Sequence, residues 1–405
     1  MTKEPKPPAA SKAILILSFD TPWPVDYGGI YDVIGRAHEF QRAGYAVDYV
    51  GVTLDTRRLK DYSIGHAEPR SPFRRVYILR GYLRPWSVLT TTPASASARN
   101  VDIPLELRNY LLSQTYAFVL VDHIKMVPFA GTISRALNMD YRLRMHNDEV
   151  EYYASVARRE TRRLRAATLW LESLKYRFYQ KKVLRRKLFS CVYYISPRDM
   201  QKFFGISEAR QAVLPVVADF SLGRLRPVDD ALGAIDFLYV ANLELEENVQ
   251  GLLCALQFLH SNGIQRHSLL VCGRCRSAER RTAIVKTFAF HEFCEIRFNV
   301  SPAELDAAYA KAKFFLNFAV SSGGIKTKLI DALARGIVVI TNELGIQGSG
   351  LDAACIIASR STAPVIQKAL TNRTEYQKLK AQVTDALREY EEFVRSTYKN
   401  EFAIE

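Results

Sequence analysis

The sequence is poor in cysteine and has no long apolar run. Six cysteines in 405 residues are too few for the disulfide framework of a small secreted domain. No stretch approaches the roughly 18–20 apolar residues that a membrane-spanning helix needs. The N-terminal residues MTKEPKPPAASK lack the apolar core of a signal peptide. These absences predict a soluble, intracellular chain with a disordered leader at residues 1–11.

Metal-binding patterns are scarce as well. Cys272 and Cys275 form one C-x-x-C motif, but neither a second such pair nor an H-x-x-x-H motif follows it. A lone pair favours a structural role over a zinc or redox site.

The chain does contain 48% hydrophobic residues, arranged as short apolar runs between helical stretches. Residues 13–19 (AILILSF) are typical of a buried parallel strand, and a glycine loop, a helix and a second strand follow. A second alternation of the same kind begins at residue 235. Two such runs predict an α/β protein with two doubly wound, Rossmann-like domains, whose ligands bind at the carboxyl ends of the strands.

The domain boundaries follow from this alternation. We expect an N-terminal domain over residues 12–220, which includes a basic helical segment at 151–190. A linker is expected over 221–234, a second domain over 235–380 and a C-terminal helix over 381–405.

The net charge of +14 is concentrated in one segment. Residues 151–210 carry 15 Lys and Arg against five Asp and Glu, a difference of +10, with aromatic residues among them. Three interpretations are open: a solvated helix face, a patch for anionic lipid headgroups, or a surface for nucleic acid. Nucleic acid is the least favoured, because no signature of a nucleic-acid-binding module accompanies the charge.

The clearest local motif is SSGGIKTKLIDALARGIVVI at residues 321–340. Its glycines allow backbone N–H groups to approach a ligand closely, and the helix expected from Ile325 would favour an anion at its N-terminus. Lys326 in the first turn opposes the helix dipole and therefore favours an anionic partner. With Asp331 further along, the motif fits a phosphate cradle with a carboxylate for ribose hydroxyls. A plain strand–glycine–helix connection with a solvated lysine is the alternative.

This motif resembles the donor-binding segment of GT-B glycosyltransferases, most of all family 4 and its bacterial surface-polysaccharide subgroup. Gly324 to Asp331 matches Gly-Ile-Lys-x-Lys-x-x-Glu with Asp in the last place. Other segments resemble that family in the same order: Pro22 to Gly29, LRMHNDEVEYY at 143–153, and YISPRDMQKF before the expected crossover between domains.

The resemblance implies a GT-B fold, with two domains facing a cleft and the C-terminal helix packing back on the N-terminal domain. It also implies roles for residues. The donor would be bound by residues of both glycine loops and the second domain: Gly28, Gly29, Arg274, Gly324, Ile325, Lys326, Lys328 and Asp331. The catalytic candidates are His123, His146 and Glu149. Two alternatives are that His123 caps backbone at a strand end and that Glu149 is a first-turn acid favoured by a helix N-terminus.

The sequence departs from the family pattern at three places. Gly323 stands where the family has its first acid, and Asp331 is one methylene shorter than the second. Asn242 and Asn248 occupy the region of an expected Arg and Lys pair, among three glutamates.

The resemblance implies a retaining glycosyltransferase of the hexosyl type, moving sugar from a nucleotide-diphosphate sugar to a glycan in surface-polysaccharide synthesis. No metal or other cofactor is expected, and no D-x-D triplet occurs. The basic segment suggests a polyprenyl-diphosphate-linked acceptor, and hence a cytoplasmic protein that is peripheral on the inner membrane face if the segment binds lipid. The alternatives are a catalytically weakened GT-B binding or assembly partner and a nucleotide-sugar epimerase.

Overall fold

A computed structural model describes residues 12–23, 28–59, 71–160, 162–217, 235–264, 266–321 and 326–403. The expected leader at 1–11 and linker at 221–234 lie outside the described residues, as do Gly324 and Ile325. In the described part of the chain, no helix combines the length and the apolarity that crossing a bilayer requires.

The chain forms two compact units. Unit 1 comprises Met1–Ala154, Ala167–Val217 and Val394–Glu405, and unit 2 comprises Ser155–Ala166 and Ala218–Phe393. Each contains one parallel sheet with helices beside it, as two alternating runs of strands and helices predicted.

The sheet of unit 1 has seven parallel strands in the order β3-β2-β1-β4-β5-β6-β7. The strands are β1 (Ala13–Ser18), β2 (Ala46–Thr53), β3 (Arg75–Arg80), β4 (Tyr116–Asp122), β5 (Tyr141–Met145), β6 (Phe189–Tyr194) and β7 (Arg210–Val213). All six residues of β1 are buried, because a central parallel strand is covered on both faces.

The sheet of unit 2 has six parallel strands in the order β10-β9-β8-β11-β12-β13. They are β8 (Ile235–Asn242), β9 (Leu269–Arg274), β10 (Cys294–Phe298), β11 (Ala312–Asn317), β12 (Val338–Thr341) and β13 (Cys355–Ile357). The strand order reverses between β1 and β4 in unit 1 and between β8 and β11 in unit 2. Ligands of doubly wound sheets bind outside the carboxyl ends of the strands at such a reversal.

The helices connect these strands. In chain order they are α1 (Gly28–Arg42), α2 (Ala94–Ser97), α3 (Leu105–Leu112), α4 (Val127–Ile133), α5 (Glu149–Arg159), α6 (Arg163–Leu184), α7 (Pro197–Lys202), α8 (Glu246–Ser261), α9 (Ala278–Phe288), α10 (Pro302–Lys311), α11 (Thr327–Ala334), α12 (Glu343–Ile346), α13 (Ala363–Thr371) and α14 (Arg373–Phe402). Short 3₁₀ turns cover Pro85–Leu89, Ile124–Met126 and Asp352–Ala354.

The end of α14 packs into the core of unit 1, which confirms the expectation that the C-terminal helix returns to the N-terminal domain. The Phe402 ring stacks on Phe118 of β4 at 5.5 Å and meets Phe40 of α1 edge-on at 4.9 Å. Tyr398 packs on both Phe40 and Phe402. Aromatic pairs in these geometries add to the stabilisation from buried area, so this cluster fixes the helix end to the sheet.

Replacing Phe402 by alanine should lower the free energy of unfolding of unit 1 by about 3–5 kcal/mol, because the change leaves a cavity beside β4. Urea denaturation followed by circular dichroism measures the loss. Phe393→Ala on the same helix is the matched control, because Phe393 is exposed and should change stability by less than about 1 kcal/mol. Equal effects of the two changes would contradict the packing role of Phe402.

Candidate functional site

The three catalytic candidates of unit 1 lie together at the strand-order reversal of its sheet. His123 directly follows β4, His146 directly follows β5, and Glu149 is the first residue of α5. The two imidazole rings stack with centroids 5.1 Å apart, and Phe19 after β1 packs on the His123 ring at 4.8 Å. Parallel strands therefore bring together side chains that are far apart in the sequence.

His123 has an unusual backbone conformation and a fixed ring. Its φ is +101°, a region that residues with a side chain rarely adopt. Nδ1 accepts the backbone N–H of Lys125 at 3.2 Å, and Nε2 lies 3.2 Å from Oε1 of Glu149. Burial, followed by the charge of Lys125, lowers the pKa of His123 to about 3 against the opposing effect of Glu149. At neutral pH the ring is therefore neutral, with its proton on Nε2 facing Glu149.

Glu149 is a buried carboxylate held in its charged form. Its Oε2 lies 3.0 Å from Nζ of Lys125, and its own backbone N–H donates to Gln180 Oε1 at 2.8 Å. Burial alone would raise the pKa of Glu149, but Lys125 and then His123 outweigh it and lower the pKa to about 2. The residue thus combines a helix-first-turn position with an ion pair inside the site, and it is ionised at any physiological pH.

His146 is oriented by a buried aspartate. Its Nε2 lies 2.9 Å from Oδ1 of Asp122, the last residue of β4. Burial opposes ionisation of Asp122, but Arg36 and then His146 lower its pKa far below the usual range. An ionised carboxylate at Nε2 favours the tautomer that has its proton on that nitrogen, which leaves the lone pair on Nδ1.

Asp122 belongs to a larger buried ion network. Arg36 of α1 donates to Asp122 Oδ1 at 2.5 Å and to Asp32 Oδ2 at 3.0 Å. Arg144 of β5 also donates to Asp32 Oδ2, at 2.9 Å, and to the carbonyl of Leu214 at 2.7 Å. None of the four charged side chains is accessible to any appreciable extent. The network joins α1, β4 and β5 directly beneath the two histidines.

Gly28 and Gly29 form the start of α1, immediately after the loop that follows β1. The loop residues 24–27 between them and β1 are outside the described part of the chain. The first turn of α1 contains no acid, so its N-terminus retains the positive end of the helix dipole.

The predicted cradle of unit 2 lies at the second strand-order reversal, after β11. The helix starts later than the sequence suggested: α11 begins at Thr327, and Lys326 is its N-cap residue rather than part of its first turn. Ala319, shortly after β11, is held by Asn342, whose Oδ1 accepts the N–H of Ala319 at 3.0 Å and whose Nδ2 donates to the Ala319 carbonyl at 2.7 Å. The first turn of α11 contains no acid.

Lys326 and Lys328 are two partly buried cations close to each other. Burial lowers the pKa of Lys328 to about 8, the charge of Lys326 adds to the effect, and Glu247 opposes it. Burial also lowers the pKa of Lys326. Lys328 Nζ lies 3.4 Å from the hydroxyl of Tyr239, 3.5 Å from Oδ1 of Asn248 and 4.7 Å above the Tyr239 ring. Tyr239 and Asn248 are neutral and Glu247 offsets only part of the effect of burial, so an anion placed here would recover electrostatic energy.

Two of the three glutamates after β8 are bound to the neighbouring helix. Glu244 accepts backbone N–H groups of Arg276 and Ser277 at the start of α9, and Glu246 pairs with Arg280 at 3.1 Å. Glu247 instead accepts from Ser321 at 3.4 Å. One acid therefore lies among the cations of the cradle, and the other two are engaged elsewhere.

Asp331 and Arg274 complete the predicted donor set. Asp331 receives a hydrogen bond from Arg335 Nε at 3.1 Å, one turn further along α11, and remains partly exposed. Arg274 is the last residue of β9, and its side chain is exposed at the carboxyl edge of the sheet. The ribose role of Asp331 and the donor role of Arg274 stay predictions.

Sequence reasoning missed Lys125 and the ion network of Asp32, Arg36, Asp122 and Arg144. Two signals were available. Asp32 and Arg36 are four residues apart on α1, next to the buried apolar residues Val33 and Ala37. Arg144 interrupts a buried strand.

Comparison with known proteins identifies the fold. No family model matches the chain. A curated relative, an uncharacterised 44.6 kDa protein from the cps region of Klebsiella pneumoniae, is 23% identical over 351 residues, which are 83% of this chain and 84% of the relative.

Solved structures match nearly the whole chain. Sucrose-phosphate synthase from Thermosynechococcus elongatus is 17% identical with a TM-score of 0.63, covering 97% of this chain and 99% of its own. The pneumococcal O-GlcNAc transferase GtfA, solved with UDP and GlcNAc, is 10% identical with a TM-score of 0.59, covering 97% and 99%. The chain has the GT-B fold. The fold expected from the donor-segment resemblance is thereby confirmed.

The lowered pKa of His123 makes stability depend on pH. The unfolded chain binds a proton at this residue below about pH 6.5, whereas the folded chain does so only near pH 3. The free energy of unfolding should therefore decrease as the pH is lowered between these values, by about 2 kcal/mol from pH 7 to pH 5. Glu149 adds to the loss only below about pH 4.5, so it does not contribute in this window.

The variant His123→Gln keeps a donor and an acceptor but cannot titrate, so it should lose less stability between pH 7 and pH 5. Urea denaturation at both pH values measures the difference. His291→Gln, in unit 2 and partly exposed, is the control and should retain the wild-type slope. An unchanged slope in His123→Gln would disprove the assigned protonation state.

Proposed function

We propose that this protein is a glycosyltransferase that moves a hexosyl group from a nucleotide-diphosphate sugar to a glycan or lipid-linked acceptor in cell-surface polysaccharide or glycoconjugate synthesis. The observation that carries the proposal is the pair Lys326 and Lys328 at the strand-order reversal of unit 2, in a chain with the GT-B fold.

The donor side rests on charge. A lysine whose pKa is lowered to about 8 by burial is stabilised by any ligand that brings negative charge to it. A diphosphate at the cradle would lie near both ammonium groups, with the N–H groups of Gly324 and Ile325 and the start of α11 as further donors. The same groups would stabilise the diphosphate as it leaves, when its negative charge increases.

Two of the compared proteins support this chemistry. GtfA is named as an O-GlcNAc transferase in complex with UDP and GlcNAc, and the Klebsiella protein is named for a cps region. We propose a UDP-sugar as the first donor to test.

The acceptor and reacting-sugar side is assigned to unit 1. We propose that His146, held by Asp122, exchanges the proton of the acceptor hydroxyl through Nδ1, and that His123 and Glu149 contact the sugar. We further propose that Gly28 and Gly29 at the start of α1 approach the donor phosphate, that transfer proceeds with retention and that no metal ion is needed. We also propose a polyprenyl-diphosphate-linked acceptor and a cytoplasmic location at the membrane, on the basis of the +10 charge of residues 151–210.

One observation favours a second function, a GT-B binding or assembly partner with weakened catalysis. Glu247 lies at the cradle, where its charge opposes a diphosphate, and Asp331 is already paired with Arg335. With both contacts in place, donor affinity is low.

The charge of Lys328 should control nucleotide affinity. Calorimetric titration with UDP, without metal, should give binding about tenfold weaker at pH 9 than at pH 7, because the lysine loses its proton near pH 8 and a tenfold change corresponds to one pKa unit. Lys328→Arg keeps its charge at both pH values and should bind UDP equally at both. Binding that is independent of pH in the wild type would remove Lys328 from the cradle.

Lys326→Ala should reduce the rate of sugar transfer by on the order of a hundredfold, by analogy with removal of one donor to a developing charge. A panel of UDP-, GDP- and ADP-sugars with radiolabelled sugar measures transfer to a lipid-linked or glycan acceptor. Lys311→Ala, an exposed lysine of unit 2, is the control and should keep full activity. UDP binding without transfer from any donor would favour the binding-partner function.

A further inference from the structure

The outer face of α6 in unit 1 is apolar as well as basic. Its inner face is buried through Tyr176, Tyr179 and Val183. The opposite face exposes four large apolar side chains to solvent: Trp170, Leu171, Leu174 and Phe178. A helix that covers a core on one side has no structural need for this second apolar stripe.

A second element of unit 1 has the same character. The segment after β3, which contains the 3₁₀ turn Pro85–Leu89, exposes four more large apolar side chains: Tyr82, Leu83, Trp86 and Leu89. Leu89 is 88% exposed and Trp86 is 61% exposed. Two of the three tryptophans in the chain thus lie on these two exposed faces.

Hydrogen bonds join the two elements into one surface. Lys175 Nζ of α6 donates to the carbonyl of Ser87 at 2.9 Å, and Glu172 Oε2 accepts the N–H of Ala94 at 2.7 Å. Lys175 lies four residues after Leu171 and three before Phe178, so the turn meets α6 beside its exposed apolar residues. We call these eight side chains the outer surface: Tyr82, Leu83, Trp86, Leu89, Trp170, Leu171, Leu174 and Phe178.

The charges around the outer surface are almost all positive. Glu172 is the one acid in residues 80–101 and 162–187 together, and both of its oxygens are used, one by Ala94 and the other by Lys175 at 2.9 Å. The exposed cations of these two ranges are Arg80, Arg84, Arg162, Arg163, Arg165, Arg177, Lys181, Lys182, Arg185, Arg186 and Lys187.

We propose that the outer surface inserts into the interfacial region of a bilayer that contains anionic lipid. Large exposed apolar patches mark interaction sites, and tryptophan and tyrosine are enriched at the depth of lipid headgroups. Surrounding lysines and arginines attract anionic headgroups. A protein partner or a second copy of the chain would have to offer a matching acidic, apolar face, whereas an anionic bilayer offers both features everywhere.

The outer surface gives a location to the membrane attachment that is proposed above from charge alone. It does not depend on sugar transfer, because none of its residues belongs to the proposed donor or catalytic sites.

The test uses the full-length protein with vesicles of phosphatidylcholine alone or with 30% phosphatidylglycerol. We expect co-sedimentation with the anionic vesicles and a blue shift of tryptophan fluorescence. Lipids brominated in their acyl chains should quench this fluorescence, because quenching requires contact with the chains. Trp86→Phe and Trp170→Phe, made singly, assign the quenched signal to each element.

Two kinds of variant separate insertion from charge attraction. The double variant Leu89→Ser with Phe178→Ser tests insertion, and it should weaken vesicle binding at least tenfold and abolish quenching. The double variant Lys181→Gln with Lys182→Gln tests charge attraction, and it should weaken vesicle binding about fivefold per cation removed. Phe290→Ser is the matched control, because Phe290 is 92% exposed and lies in unit 2.

Several results would overturn the proposal. One is the absence of vesicle binding, and another is binding that is unchanged in Leu89→Ser with Phe178→Ser. A third is a lipid-free dimer that these two changes convert to monomer, which would assign the surface to a second copy of the chain. UDP affinity, measured on the same variants, should equal that of the wild type, so a failure here is distinguishable from a failure of the donor site.

Discussion

The structure of unit 1 depends on an ion network buried beneath its candidate site. Two arginines and two aspartates from α1, β4 and β5 form ion pairs with one another, and Asp32 also accepts the backbone N–H of Val217 at 3.1 Å. Removing one member would leave an uncompensated buried charge, which costs about 3–5 kcal/mol. Well-packed apolar residues in the same places could be as stable, so stability alone does not account for the network. The network fixes the relative positions of the elements that it joins, because each guanidinium binds two partners at once.

This network and the adjacent ion pair of Glu149 and Lys125 orient the two histidines. Asp122, charged and held by Arg36, presents one oxygen to His146. His123 follows in the chain and turns away through a positive φ, so that its ring meets the Glu149 and Lys125 pair instead. The two imidazoles are therefore oriented by different carboxylates: His146 by Asp122 and His123 by Glu149. Local strain of this kind persists only where the surroundings hold it, and here buried ion pairs do so.

The alternation of strands and helices was readable from the sequence, because central parallel strands are buried on both faces and appear as short apolar runs such as Ala13–Leu17. Lys326 and the two histidines were also readable, since each directly follows or flanks a predicted strand–loop–helix junction. The ion network was not, because Asp32 and Arg144 are 112 residues apart and no local pattern reports such a pair. The start of α11 was misplaced for a local reason: the sequence shows a lysine near a helix end but not whether it lies inside or before the first turn.

The two units use buried charge in opposite ways. In unit 1 the ionised groups beneath the site are matched by groups of opposite sign, so they orient side chains and attract nothing further. In unit 2, Lys328 is surrounded by a tyrosine and an asparagine, and the charge of Lys326 adds to the cost of its own. Burying a cation beside another is unfavourable, and the charge of Glu247 offsets only part of that cost at Lys328. An anionic ligand at this place would offset the remaining cost, and this is the physical basis of the diphosphate site proposed for unit 2.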